Sequence, residues 1–353
     1  MFTPIQIGPL RMKNRFVRSA THEYMADDQG FVTERIGKIW EKLAENDVAC
    51  LISGYAFVHP QGKSSERQAA IYDDKFIAPY EKLVKAAHAK GAKTVLQIAH
   101  GGRQSKPELC GGDPLCPSAV PDPKTGITPR EMAEGEIVEV INSFAEAVRR
   151  GRDAGFDAVE LHAAHGYLLS QFLSPHTNRR TDAWGGSEEK RFRVVREIIV
   201  ASREKTGPDF PLWIKLNSED FLETGLQLEE AVSIAKRLEQ AGISAIEVSG
   251  GMMEAGPVTA RTRILQKDRE AYFLPAALKI KEAVKIPVIV VGGFRSASVI
   301  QQAIDQGMDM VSLSRPFIRE PDLIKKFREG KERADCISCN GCFNPEGVQC
   351  QYL

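Results

Sequence analysis

The chain has 353 residues with 47 Lys plus Arg against 47 Asp plus Glu, so its formal net charge is zero, which argues against a nucleic-acid or anionic-membrane binder driven by bulk charge. With 42 % hydrophobic and 27 % charged residues, 29 Gly and 19 Pro, it has the composition of a folded globular protein, not of a disordered or fibrous one. No run reaches the about 18 apolar residues of a membrane span and Met1–Leu10 is unlike a signal peptide, so a cytoplasmic protein without membrane partners is expected.

Short apolar runs ending in small or polar residues recur along the chain. Residues 1–14 suit a small hairpin, and a first strand at 15–20 (RFVRSA) leads into Ser19, Thr21 and His22. A second, 49–58, contains Tyr55; a third, 93–100, carries Gln97 and His100 and is followed by the long loop 101–128. The next helix is expected to open at Thr128 and Pro129, with Glu131 completing a capping-box spacing. The fourth strand, 158–165, holds His162 and His165, with Tyr167 just beyond. Lys215 and Asn217 end the fifth (211–217), and Ser249 to Gly251 end the sixth (245–251), ahead of loop 250–271. Gly292 and Gly293 close the seventh (287–293), with a helix starting near Ser296, and the eighth (310–317) contains Ser314 and Arg315. Between the strands lie helical spacings such as Ala231, Ile234, Ala235 and Leu238. Gly91, Gly155, Gly242 and Gly307 read as helix stops.

Strands apolar on both faces suit a parallel sheet covered by helices. Eight strand–helix units predict an α/β fold: a (β/α)8 TIM barrel over 1–330 with an N-terminal hairpin, followed by a Cys-rich tail over 331–353. A doubly wound sheet is the alternative, but no Gly-rich nucleotide fingerprint follows an early strand near residue 20 or 58.

The active site of such a barrel is built from the C-terminal strand ends, and here nearly all of these are polar. Gly292-Gly293-Phe294-Arg295 and Ser314-Arg315-Pro316, at strands 7 and 8, suit a phosphate held by backbone N–H groups and helix N-termini; two ordinary βα turns are the alternative. His162-Ala-Ala-His165-Gly-Tyr167 offers two imidazoles and a phenol. A metal site lacks an evident third ligand beside the pair. Two donors for a carbonyl oxygen with a phenol as proton donor is a second reading, and satisfied core groups a third.

These residues carry a resemblance to the Old Yellow Enzyme family of FMN-dependent ene-reductases. It runs through Asn14-Arg15-Phe16-Val17-Arg18-Ser19-Ala20-Thr21 and Gln97-Ile98-Ala99-His100-Gly101-Gly102-Arg103. It continues in His162-Ala-Ala-His165-Gly-Tyr167-Leu-Leu-Ser-Gln171-Phe172-Leu173-Ser174-Pro175, then Asn178, Arg179, Asp182 and Gly185-Gly186-Ser187. The resemblance implies FMN over the barrel mouth, with Ser19, Ala20, Thr21, His22 and Tyr55 around the ring system. Gln97 would face its pyrimidine part, Lys215 the N1 and O2 edge, and Gly292, Gly293, Ser314 and Arg315 the phosphate. His162 and His165 are implied to grip the substrate's activating oxygen, Tyr167 to be the acid, and Tyr24 to lie on the substrate side. His22 stands where some relatives carry a cysteine. The implied reaction is reduction, with NAD(P)H as electron donor, of the activated C=C bond of a small α,β-unsaturated carbonyl compound by a homo-oligomeric enzyme.

Seven cysteines cannot all pair within one chain, and Cys336, Cys339, Cys342 and Cys350 crowd into the tail, unlike a disulfide framework. The group is similar to the cluster-binding region of 2,4-dienoyl-CoA reductase and trimethylamine dehydrogenase, in a spacing that departs from theirs. Thiolates so spaced bind an iron–sulfur cluster or zinc, and an unligated turn is the alternative. Two further readings of the chain are therefore a cluster-containing dienoyl-CoA or aryl-CoA reductase-like subunit, and a non-redox barrel lyase, isomerase or binding protein for a phosphorylated ligand.

Overall fold

The computed structural model describes residues 1–123 and 125–352. Its core is a barrel of eight parallel strands: β1 (Phe16–Arg18), β2 (Cys50–Ile52), β3 (Lys93–Ala99), β4 (Ala158–Ala163), β5 (Leu212–Asn217), β6 (Ala245–Ser249), β7 (Val288–Val291) and β8 (Met310–Leu313). Each strand pairs with the next, and β8 closes on β1 with Val311 opposite Phe16, which excludes the open doubly wound sheet. Helices α1 (Glu34–Glu45), α2 (Ile77–His88), α3 (Glu134–Asp153), α4 (Glu188–Thr206), α5 (Leu228–Gln240), α6 (Leu274–Ala283), α7 (Ala297–Asp305) and α8 (Leu323–Arg328) cover the outside. In α5 the buried face is Ala231, Ile234, Ala235 and Leu238. Gly91, Gly155, Gly242 and Gly307 follow their helices with positive φ, a conformation open to glycine without steric cost.

The barrel interior has two levels. Val17, Cys50, Val95, Ala158, Trp213, Ala245, Ile289 and Met310 form an apolar lower level, closed from below by Ile7, Leu10 and Met12 of the hairpin Ile5–Ile7 with Leu10–Met12. Two residues further along their strands, side chains return to the same face. There the chain places Ser19, Gln97, Glu160, Lys215, Glu247 and Ser312, all buried. A polar floor therefore sits directly on an apolar plug.

Two expectations are corrected. The second strand is broken into Cys50–Ile52 and Ala56–Phe57, and Tyr55 sits in the break. The helix before β4 opens at Glu134, not at Pro129: Arg130 and Glu131 instead pair with Leu115 and Cys116, and Glu136 reaches back to accept from the Ala133 N–H at 2.8 Å. The tail has no helix or strand of its own among the described residues and is tied down by backbone contacts. The Ala334 N–H donates to the Arg295 carbonyl at 2.9 Å and that of Val348 to the Glu23 carbonyl at 2.8 Å.

Candidate active site

A cavity of about 770 Å³ opens at the C-terminal ends of the strands. Ser19, Ala20, Thr21, His22, Tyr24, Tyr55, Gln97, His162, His165, Tyr167, Lys215, Gly293, Ser314 and Arg315 all line it. Gly292 does not: at φ 137° it lies against the Phe273 backbone, where an added Cβ would come within 3.1 Å of the Phe273 nitrogen. Its glycine serves loop packing.

The floor is an ionic network. The Lys215 ammonium lies 2.8 Å from Glu247 Oε2 and donates to Ser19 Oγ at 3.0 Å, and Ser19 Oγ donates to Glu247 Oε1 at 2.8 Å. Gln97 Nε2 donates to Glu160 Oε2 at 2.6 Å. Burial, then the charge of Glu247, pushes Glu160 up to about 8. Burial acts on Glu247 in the same direction, but the Lys215 charge and its hydrogen bonds outweigh it and hold that carboxyl low.

One wall carries the imidazoles. His165 takes a left-handed φ of 62°; its backbone N–H donates to Asn217 Oδ1 at 3.0 Å and its Nε2 meets Ser249 Oγ at 2.7 Å. The His162 ring stands perpendicular to it, with centroids 5.1 Å apart, and its buried Nδ1 has no protein partner among the described residues. Burial, then neighbouring positive charge, lowers His162 far below its ordinary value and His165 to about 3, so both imidazoles are neutral donors or acceptors. The Tyr167 ring is 4.8 Å from His162 and 5.0 Å from Tyr55, and burial raises its phenol well above its ordinary value. It therefore holds its proton. The His22 ring lies tilted against Tyr24 with centroids 3.8 Å apart, its Nε2 meets Ser65 Oγ at 2.9 Å, and burial lowers it to about 4.

At the opposite end, Ser314 Oγ lies 2.7 Å from Thr21 Oγ1, and Arg315 Nη1 donates to the Arg261 carbonyl at 2.8 Å and to Asn340 Oδ1 at 2.7 Å. Gly293 has φ 73°, and an added Cβ would sit 2.6 Å from the Tyr272 ring. The helix N-terminus near Ser296 is not free for an anion. Glu270 fills it, accepting from the Arg295 and Ser296 N–H groups at 2.7 and 2.8 Å and from Ser296 Oγ at 2.8 Å. Gly293, Ser314 and Arg315 line the cavity at this end, away from that occupied N-terminus.

Cys336, Cys339, Cys342 and Cys350 are free and line a second cavity of about 210 Å³. Arg315 and Asn340 line both cavities and so form their common wall. Among the described residues no three His, Cys, Asp or Glu side chains converge on a single metal position. Neither the histidine pair nor the tail has the convergent donor set that zinc requires.

Glu160, Glu247 and Ser312 in the floor, and Tyr272 and Asn340 in the walls, are missing from the residues predicted by sequence. The signal for the first two is a Glu inside the runs AVELHA and AIEVS, in phase with His162 and Ser249.

The sequence model of the NADH:flavin oxidoreductase / NADH oxidase family matches residues 1–334. An NADH oxidase of Thermoanaerobacter brockii is 39 % identical over 348 residues, which cover 97 % of this chain and 53 % of that protein. An NADPH dehydrogenase of Geobacillus sp. (strain WCH70) is 34 % identical, with 91 % of each chain covered. The structure of a 2-naphthoyl-CoA reductase complex with 2-naphthoyl-CoA superposes with a TM-score of 0.90 at 32 % identity, covering 97 % of this chain and 54 % of that one. The chain thus spans about half the length of the first of these relatives and of that reductase.

Proposed function

The chain belongs to the NADH:flavin oxidoreductase / NADH oxidase family, and from that premise we propose that it binds FMN in the larger cavity and uses NAD(P)H to reduce the activated C=C bond of small α,β-unsaturated carbonyl compounds. The observation that carries this reading is the convergence of His162, His165 and Tyr167 on one wall of a cavity whose floor holds a fixed cation, Lys215. The lining fits FMN. A buried ammonium and the Gln97 amide on the same cavity suit the polar edge of a flavin ring, and Gly293, Ser314 and Arg315 at the opposite end offer backbone N–H groups, a hydroxyl and a guanidinium for a phosphate. When bound, FMN would supply two-electron hydride transfer between NAD(P)H and the C=C bond of the substrate.

The chain's own residues do the rest. His162 and His165, kept neutral by burial, donate N–H to the substrate carbonyl and meet the negative charge that develops on its oxygen. The hydrogen bonds of His165 to Asn217 and Ser249 fix its ring for that task. Tyr167 gives its phenolic proton to the α-carbon, and its raised pKa keeps the proton in place until a carbanion-like base is formed. Lys215 sets positive charge where electron density gathers on reduction.

The second cavity favours a second reading. Four free cysteines line a cavity of about 210 Å³, and thiolates are the ligand type of an iron–sulfur cluster. With Arg315 and Asn340 in the shared wall, the protein would then resemble a cluster-containing dienoyl-CoA or aryl-CoA reductase-like subunit. The family match gives no support to the non-redox lyase, isomerase or binding-protein readings.

Spectra of the purified protein under anaerobic conditions, with iron and sulfide analysis, test both. A flavin spectrum that bleaches with NAD(P)H and returns with an enone is expected. A protein that never takes up FMN overturns the first reading, and flavin without iron or sulfide overturns the second.

A further inference from the structure

The buried floor of the site has two carboxylates and one ammonium. Glu160 and Glu247 are 0 % exposed and Lys215 3 %. Lys215 pairs with Glu247, and among the described residues Glu160 makes no ion pair of its own. A second bare carboxylate in a buried interior is unfavourable, and a bound proton relieves it. The hydrogen bonds say where that proton sits. Glu160 Oε2 already accepts from Gln97 Nε2, whereas Oε1 has no donor among the described residues, and Glu247 lies close enough to act on this carboxyl.

We infer that Glu160 is a protonated acid whose Oε1–H is donated to Glu247, and that this acid–carboxylate pair is a positioning device that fixes the Gln97 amide and the Lys215 ammonium beneath the cofactor. Glu247 holds the ammonium against Ser19. Glu160 engages the NH2 end of Gln97, so the amide keeps its carbonyl oxygen for a ligand N–H, as the flavin pyrimidine offers. The inference rests on the proposed FMN site for its consequence, but not for the proton itself.

The titratable groups that act on Glu160 from other strands of the barrel are Cys50 on β2, Lys215 on β5 and Glu247 on β6, with His162 two residues further along β4. Burial keeps Cys50 a thiol and His162 neutral. Glu160 is therefore the group of this set that exchanges a proton near neutrality, with its pKa raised to about 8 by burial and Glu247.

Infrared difference spectra of the full chain, with and without FMN, test this between about pH 6 and about pH 10. The carbonyl stretch of a protonated carboxylic acid, shifted in D2O, should be present at the acid end and fade as the pH rises. Glu160→Gln should abolish it. Glu247→Gln should abolish it too, because Glu160 then becomes the partner of Lys215 and ionises. Glu160→Gln retains an acceptor for Gln97 and should keep the FMN Kd within about threefold, whereas Glu160→Leu should raise it about tenfold. Absence of the acid band from the wild-type protein, its survival in Glu160→Gln, or equal Kd values for the Gln and Leu variants would each overturn the inference. If a variant fails to fold, the wild-type spectrum decides. Failure to bind FMN overturns the proposed function instead, and the acid band of the cofactor-free chain separates the two failures.

Discussion

Lys215 and Glu247 stand opposite each other in register on β5 and β6, and their side chains form a 2.8 Å ion pair that is closed to solvent. The same register that pairs Lys215 with Glu247 on one side sets His162 beside it on the other. The cation at the cavity floor is therefore built into the strand ladder, and its partner is buried with it.

Breaking the pair leaves an uncompensated buried charge. Lys215→Met is expected to destabilise the fold by about 3–5 kcal/mol, while the double variant Lys215→Met with Glu247→Met recovers most of that loss. Denaturant midpoints of both variants check it; equal losses in the two would contradict an ion pair.

Tyr167→Phe should leave flavin reduction by NAD(P)H intact and lower enone turnover by about 10²–10⁴-fold. Stopped-flow spectra of the two half-reactions separate these effects. Loss of both at once would show that Tyr167 shapes the site and is not its acid.

Acid stability follows from the buried histidines. Burial carries His100 and His165 from 6.5 to about 3 and His22 to about 4, so the unfolded chain binds protons that the folded chain refuses. The stabilisation these groups give is complete above 6.5 and is lost as the pH falls through the window down to about 3. Denaturation at about pH 7 and about pH 5 should show a falling midpoint, and His100→Asn should flatten that slope.

Gly293→Ala adds a Cβ at φ 73°, 2.6 Å from the Tyr272 ring. A loss of about 1–3 kcal/mol of stability is expected from backbone strain. FMN affinity should fall with it, whereas free riboflavin, which lacks the phosphate, should lose less. Equal losses for the two ligands would remove Gly293 from the phosphate cradle.

The strand ends were legible because they depend on local pattern. A period of two within each strand and a polar residue at its end identify Ser19, Gln97, His162, Lys215 and Ser314 without knowledge of any neighbour. The hairpin, the eight strand–helix units and the glycines after the helices follow from the same short-range rules. Where local signals competed, they misled: Thr128-Pro129 looked like a helix start, but Arg130 and Glu131 found a strand partner in Leu115 and Cys116.

By itself, then, the sequence determined the barrel, the order of its strands and the chemistry offered at their ends, since these rest on residue type and spacing along one segment. Only the tertiary structure decided which groups neutralise one another. Glu247 faces Lys215, Glu160 is left to share a proton, Glu270 stops the helix N-terminus near Ser296, and Arg315 with Asn340 joins the large cavity to the four cysteines. The physical reason is that the charge state of a buried group is set by desolvation and by partners brought from distant segments, and barrel closure is what brings them together.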